Sequence, residues 1–442
     1  MDGIKFLQGT KNRINGENPL ERIKTRIAEL FKKRKELNLM NEIKFLQGTK
    51  NLINGENPLE QIKTRIAEFF NMKNINFLFG SGTSCDAIPN MKDLFDVVKN
   101  EIDHQKEDEI KEEFNSIVEK LKPEDNLEDV LGVLYSHKAY LEGINTKNDT
   151  FNICNGLIDK IENIVFEKLN VDFSKQNVDF SKQKVLAVLK TYKNFYQKVA
   201  FRNKDLSRIN VFTTNNDLFN ETALDSLNVH YINGFSGGIN RFFNPALFNY
   251  TFAKRMDTSI EKFEPVENMI YLFKLHGSIN WIEDDENNNK FFTTKEIYPP
   301  SKEDNNILIY PTPNKQNKSL GSPYVELFRE FQKKLLEPHN VLFIIGYSFS
   351  DEHVNNVIYQ ALAVNSTINI VIINDIGDKD IIKSNDNRIF KIWSEIKQDN
   401  SEKIEQIHHF NYIVENLLPH TFKQKDNIIE QFIDFYKGNL SK

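Results

Sequence analysis

Residues 341–374, VLFIIGYSFSDEHVNNVIYQALAVNSTINIVIIN, decide the fold. Val341–Gly346 and Ile368–Asn374 are short runs of β-branched and aromatic residues, the composition of strands buried on both faces. Between them, His353–Ala363 carries apolar residues at helical spacing. A strand, a helix and a second strand within ~30 residues form the unit from which parallel sheets are built.

Working outward, the same strand signal appears at Ile75–Phe79, Ile209–Thr213, Met269–Leu275 and Ile307–Tyr310. From about Met91 to Arg202 the pattern changes to helical, with Leu94, Val97, Val98 and Ile102 and then Phe114, Ile117, Val118 and Leu121 in register. Within that stretch Asn170–Gln176 repeats immediately as Asn177–Gln183, a tandem copy expected in a surface loop. Residues 283–290 read as an exposed turn. At the N-terminus Met1–Phe31 recurs as Met40–Phe70, and Ile4–Asn12 is identical to Ile43–Asn51. Each copy ends in a helix signal; in the second, Asn57 caps, Pro58 opens the first turn, and Leu59, Ile62, Ile66 and Phe69 follow. The tail holds Ile428, Ile429, Phe432, Ile433 and Phe435 at helical spacing. The expected division is therefore two copies of a helical segment at 1–39 and 40–71, an α/β domain at 72–400 with a helical insertion at about 95–202, and a helical tail at 401–442.

Composition narrows the possibilities. The 442 residues are 39% hydrophobic and 27% charged, with a net charge of −6 and no concentrated basic stripe, so direct nucleic-acid binding is not expected. Two cysteines, Cys85 and Cys154, cannot build a four-cysteine zinc site or a disulfide framework, and they fit a reducing cytoplasm. No signal-peptide stretch and no membrane-spanning apolar run is present.

Polar segments follow five of the strand signals. Phe79-Gly80-Ser81-Gly82-Thr83-Ser84 is either a plain tight turn or a backbone approach to a pyrophosphate. Thr213-Thr214-Asn215-Asn216-Asp217 is either a helix cap or a ligand site at a strand's carboxyl end. Lys274-Leu275-His276-Gly277 places a histidine beside a glycine at a strand end, where its ring is structural or accessible to a ligand. Gly346-Tyr347-Ser348 begins a strand-to-helix turn of small residues. Ile373-Asn374-Asp375 sets polar groups where an adenosine ribose is commonly held.

In this order the five segments resemble the sirtuin superfamily. Gly80–Ser84 is similar to the sirtuin Gly-Ala-Gly-Ile-Ser, and Ala87-Ile88-Pro89 to its Gly-Ile-Pro. Thr213–Asp217 resembles Thr-Gln-Asn-Ile-Asp, His276-Gly277 resembles His-Gly, Gly346-Tyr347-Ser348 resembles Gly-Thr-Ser, and Ile373-Asn374 resembles Ile-Asn. The resemblance covers roughly residues 72–380 apart from the helical insertion. It implies a Rossmann-like parallel sheet with helices on both faces, and NAD as substrate. Asn215, His276 and Asp217 are the catalytic residues it implies. The NAD-binding set it implies is Gly80, Ser81, Gly82, Thr83, Ser84, Pro89, Thr214, Gly277, Gly346, Ser348 and Asn374.

Departures from the deacylases are equally specific. The zinc module is absent, and Asn90-Met91-Lys92 stands where the deacylases carry Asp-Phe-Arg. These features, with Leu127-Glu128-Asp129-Val130-Leu131, look like the sirtuin-like NAD hydrolases of bacterial anti-phage defence. That implies water as acceptor, no metal, and NAD depletion that must be gated by homo-oligomerisation or by a second, activating protein. A deacylase or ADP-ribosyltransferase, and a non-catalytic NAD or ADP-ribose sensor, are the alternatives.

Overall fold

A computed structural model describes residues 43–54, 57–104, 108–121, 127–146, 148–174, 179–200, 202, 205–256, 262–284, 293–302, 306–308, 322–375, 377, 379–394 and 406–419. The first copy of the N-terminal repeat, most of the acidic turn at 283–290 and the apolar tail positions from Ile428 onward lie outside the described residues.

The chain opens with β1 (Ile43–Gln47), β2 (Lys50–Asn51) and α1 (Pro58–Phe70), and then enters β3 (Asn74–Phe79). Five helices follow: α2 (Met91–Asp103), α3 (Asp108–Leu121), α4 (Leu127–Gly143), α5 (Asp149–Leu169) and α6 (Phe180–Val199). After β4 (Ile209–Thr213), α7 (Phe219–Ser226) and β5 (His230–Ile232) come the short strands β6 (Phe235–Ser236), β7 (Arg241–Phe243), β8 (Ala253–Arg255) and β9 (Phe263–Pro265). Next are β10 (Met269–Lys274), β11 (Gly277–Glu283), β12 (Thr294–Glu296) and β13 (Asn306–Leu308). The chain continues through α8 (Tyr324–Leu336), β14 (Asn340–Ile345), α9 (Glu352–Val364), β15 (Ile368–Ile373), α10 (Asp380–Lys383) and β16 (Ile389–Ser394), and ends in a helical segment over 410–417.

Nine strands form one sheet in the order β2-β1-β16-β15-β14-β3-β4-β10-β5, parallel from β16 to β5 and antiparallel at the β1–β2 edge. Alternating side chains feed two cores. Phe77, Phe79, Phe343 and Ile345 face α1, α6, α7 and the C-terminal segment. Leu78, Leu342, Ile344 and Ile372 face α8 and α9 on the other side. This is the α/β architecture with helices on both faces that the sequence predicts.

Two details depart from expectation. Residues 40–71 are not helical throughout: Ile43 and Phe45 alternate inward at 4% and 3% exposure, and β1 pairs with β16. Strand β16 itself is hidden in the sequence by Lys391, a fully buried lysine whose Nζ donates to the carbonyls of Gly48, Ser384 and Ile382. The helices between β3 and β4 also divide. Helices α2 to α5 bury their own core around Phe95, Phe114, Leu131 and Ile161, whereas α6 lies on the sheet through Val188, Leu189, Tyr192 and Phe195.

The three central strands are joined by a buried amide ladder. Asn210 Nδ2 donates to Asn76 Oδ1 at 2.8 Å, Asn76 Nδ2 donates to Asn340 Oδ1 at 2.6 Å, and Asn340 Nδ2 donates to the Lys334 carbonyl. Asn76→Ala strands Asn210 and Asn340 among apolar neighbours. Urea denaturation of this variant is expected to show a loss of about 1–3 kcal/mol for each orphaned group.

Candidate active site

Pairing register places the five sequence segments on one rim. Phe79 lies opposite Ile345 and Thr213, Thr213 opposite Lys274, and Ile345 opposite Ile373. Gly80, Thr214, Leu275, Gly346 and Asn374 are therefore the residues that leave the sheet together, at the carboxyl ends of its parallel strands. Strand order reverses about β3, with β4 on one side and β14 on the other, and open α/β sheets bind ligands outside such a point.

Between β3 and β14 the two glycine turns touch backbone to backbone. Gly346 has φ +65°, and a Cβ there would lie 2.7 Å from the Thr83 nitrogen. A Cβ on Gly80 or Gly82 would fall 2.5 Å from the Gly346 oxygen or 2.7 Å from its Cα. The loop's own amides are spent internally: Gly80 N–H donates to Ile345 O, Gly82 N–H to Gly346 O, Thr83 N–H to Gly80 O and Ser84 N–H to Ser81 O. The glycines thus serve close packing of the two turns, while Ser81 stays exposed at the loop's tip.

The loop after β4 is packed against this turn. Asn215, 8% exposed, donates from Nδ2 to Thr83 Oγ1 at 3.2 Å and Ser84 Oγ at 3.3 Å. Asp217 accepts from Ser84 Oγ at 3.1 Å and, through its other oxygen, from the Phe219 N–H at the start of α7. Both Asp217 oxygens are engaged, and burial raises its carboxyl pKa above the ordinary value, with Lys274 opposing. Thr214 ties β4 to β3 through its N–H on Phe79 O.

His276 occupies the corner where the chain leaves β10 for β11. Gly277 turns that corner at φ +80°, and Asn216 Nδ2 clamps the carbonyls of His276 and Gly277 at 2.7 and 3.2 Å. Beneath it Lys274, 1% exposed, donates to the carbonyls of Asn216 and Asp217 and to Ser278 Oγ, and pairs with Glu221 at 3.0 Å. Across the rim, His276 Nε2 lies 3.0 Å from His353 Nε2. Asn374 Nδ2 donates to Tyr347 O and so braces the Gly346 turn.

The structure therefore joins Gly80–Ser84, Asn215, Asp217 and Gly346 through direct contacts, and ties in Thr214 through Phe79, His276 and Gly277 through Asn216, and Asn374 through Tyr347. Ser348 is exposed and bonded to Ser350, and half-buried Pro89 precedes α2. Three residues at the site were not singled out in the sequence. Tyr192 reaches in from α6, its hydroxyl 2.7 Å from Thr83 Oγ1, and it reads in sequence as one apolar-face residue among many. Lys274 and His353 lie inside or beside quoted segments, yet only the fold reveals what they face.

Residues 209–391 match the family model described as SIR2-like domain. The match runs from β4 into β16 and so includes the Thr214–Asp217, His276, Gly346 and Asn374 segments. It points to an NAD-dependent enzyme. No curated protein matches the chain. Among the described residues, no helix is long and apolar enough to cross a membrane.

Two substitutions test this construction. Lys274→Met leaves Glu221 buried without its cation and is expected to cost about 3–5 kcal/mol in chemical denaturation. Gly346→Ala must adopt a left-handed backbone and displace the Thr83 turn. At least ~2 kcal/mol of destabilisation is expected from the same measurement.

Proposed function

We propose that this chain hydrolyses NAD at the nicotinamide–ribose bond, giving nicotinamide and ADP-ribose. The observation that carries the reading is the meeting of Asn215, His276 and the two glycine turns on one rim, within and beside a segment matching a SIR2-like domain.

The reaction needs little from the protein beyond placement. The bond between ribose C1′ and the pyridinium nitrogen breaks with its electron pair going to nicotinamide, which leaves neutral, so no general acid is required. A water oxygen forms the new bond to C1′ and gives up a proton. His276 would take that proton, or share one from a ribose hydroxyl, a role worth roughly 10²–10⁴-fold. Asn215 would hold the ribose and the water through its amide. Asp217, whose oxygens brace Ser84 and α7, would act by fixing the Asn215 loop and by its charge near the developing cation. Ser81, Thr83 and Ser84 would meet the diphosphate, with Gly80, Gly82 and Gly346 shaping the turn that presents them. Ser348 and Asn374 would lie toward the adenosine half, and Pro89, Thr214 and Gly277 would shape the walls.

With two cysteines and altered residues after Pro89, water rather than an acyl-lysine is the acceptor in this reading. Uncontrolled NAD loss is lethal to a cell. The proposal therefore includes gating by self-association or a second protein, as in an NAD-depleting antiviral response.

Purified chain incubated with NAD is expected to release nicotinamide and ADP-ribose, resolved by chromatography. His276→Ala should lower turnover about 10²–10⁴-fold, and Asn215→Ala should abolish detectable release. Full turnover in either variant would refute the assignment. NAD bound by the wild type but not cleaved would mean either a missing activating partner or a sensor.

A further inference from the structure

We propose that His276, His353 and Asp351 form a binding site for a divalent transition-metal cation of the zinc type, and that its occupation shuts the candidate active site. The second half rests on the hydrolase reading above; the first does not.

Three donor groups converge here from two elements. His276 stands on the corner between β10 and β11, Asp351 immediately precedes α9, and His353 lies in its first turn. One ligand atom from each falls within 4.8 Å of the other two. The Nε2 atoms of the two histidines are 3.0 Å apart while their ring centroids are 5.2 Å apart. The rings therefore approach nitrogen to nitrogen, not face to face. At this distance the two Nε2 atoms either share a hydrogen, one ring donating and the other accepting, or share a cation.

A zinc-type ion would sit beside the line joining the two nitrogens, with both rings turned toward it. Metal–nitrogen bonds of about 2.0–2.1 Å in tetrahedral geometry separate two ligand nitrogens by roughly 3.4 Å. The two nitrogens open by a few tenths of an ångström as the rings turn, and the Asp351 carboxylate, with an oxygen within 4.8 Å of a nitrogen of each ring, closes to bonding distance. The donor set, two imidazoles and a carboxylate, suits zinc-type ions and leaves a fourth position for water. Both histidines are held from behind. Asn216 clamps the His276 carbonyl, and the Phe328 ring packs edge-on against His353 at 5.0 Å. Ligands fixed in this way lose little freedom on binding.

Such an ion would coordinate the His276 nitrogen that now faces His353. It would take from the corner the proton acceptor assigned to NAD cleavage.

The test is a titration of chelator-treated full-length chain with Co²⁺, followed by its visible absorption, with Zn²⁺ as displacing ion. One Co²⁺ per chain is expected. His353→Ala and Asp351→Asn should each weaken binding by more than the ~10–100-fold that loss of an outer-shell partner costs. His353→Gln, which preserves a hydrogen bond to His276 but supplies no imidazole, should behave like His353→Ala, and thermal melting checks that each variant is folded. Absence of binding by the wild type, or binding that survives both Asp351→Asn and His353→Gln, overturns the site. In the nicotinamide assay, saturating Zn²⁺ should stop release by the wild type, and Asp351→Asn should need at least ~10-fold more Zn²⁺. Unchanged turnover with the site filled overturns the blockade. A chain that binds Co²⁺ through these residues yet neither binds nor cleaves NAD refutes the hydrolase reading and supports the metal site.

Discussion

The contact of Gly346 with Gly80 and Gly82 is the constraint on which the rim depends. Two strands adjacent in a parallel sheet end in turns that leave on the same side, and side chains on both would force those turns apart. Here the backbones touch, and a Cβ on any of the three glycines would lie within 2.7 Å of the facing main chain. That closeness lets Gly82 N–H reach Gly346 O, and it sets Thr83 and Ser84 where Asn215 and Asp217 meet them. The glycines act as a hinge pin between the halves of the sheet, and the amides of Gly80 and Gly82 are already spent on that task.

Around this pin the corner is built from buried polar groups, which cost stability unless each finds a partner. Lys274 carries much of that load. Its ammonium satisfies two main-chain carbonyls, one hydroxyl and the Glu221 carboxylate. Burial pushes the Glu221 carboxyl pKa up while Lys274 opposes it. An apolar residue at 274 would strand the buried Glu221 carboxylate. It would leave the Asn216–Asp217 main chain unheld, and with it the amide that clamps His276. The buried charge thus holds the corner's geometry as well as its own carboxylate partner.

The sequence made most of the sheet legible, because its central strands are uninterrupted apolar runs. Ile209–Thr213 is observed with the predicted bounds, and Met269–Leu275, Val341–Gly346 and Ile368–Asn374 differ by one residue at their ends. What stayed hidden broke that signal. Lys391 sits inside β16, and β1 belongs to a repeat whose helix signal comes fifteen residues later. The small strands β6 to β9 are two or three residues each, too short for any period to show. At the site, residues carried by strand ends were legible because a strand end is visible in sequence. Tyr192 was not, since a helix face shows which residues are buried but never what they touch.

That asymmetry extends to chemistry. The groups holding the corner are distinct from those that would meet a substrate. Asn216 and Lys274 act on the main chain, whereas Asn215 and His276 lie beside them with side chains directed at exchangeable partners. Asn215 Nδ2 rests on two hydroxyls at 3.2 and 3.3 Å, long contacts that a ribose can replace at little cost. His276 faces another imidazole, a partner equally able to hold a proton. Tyr192 joins this arrangement to the helical layer, since its ring packs on Phe79, Phe219 and Phe410 while its hydroxyl meets Thr83. A shift of α6 against the sheet must therefore move the Thr83 hydroxyl on which Asn215 rests. The corner's geometry is tied in this way to the packing of the layer above it.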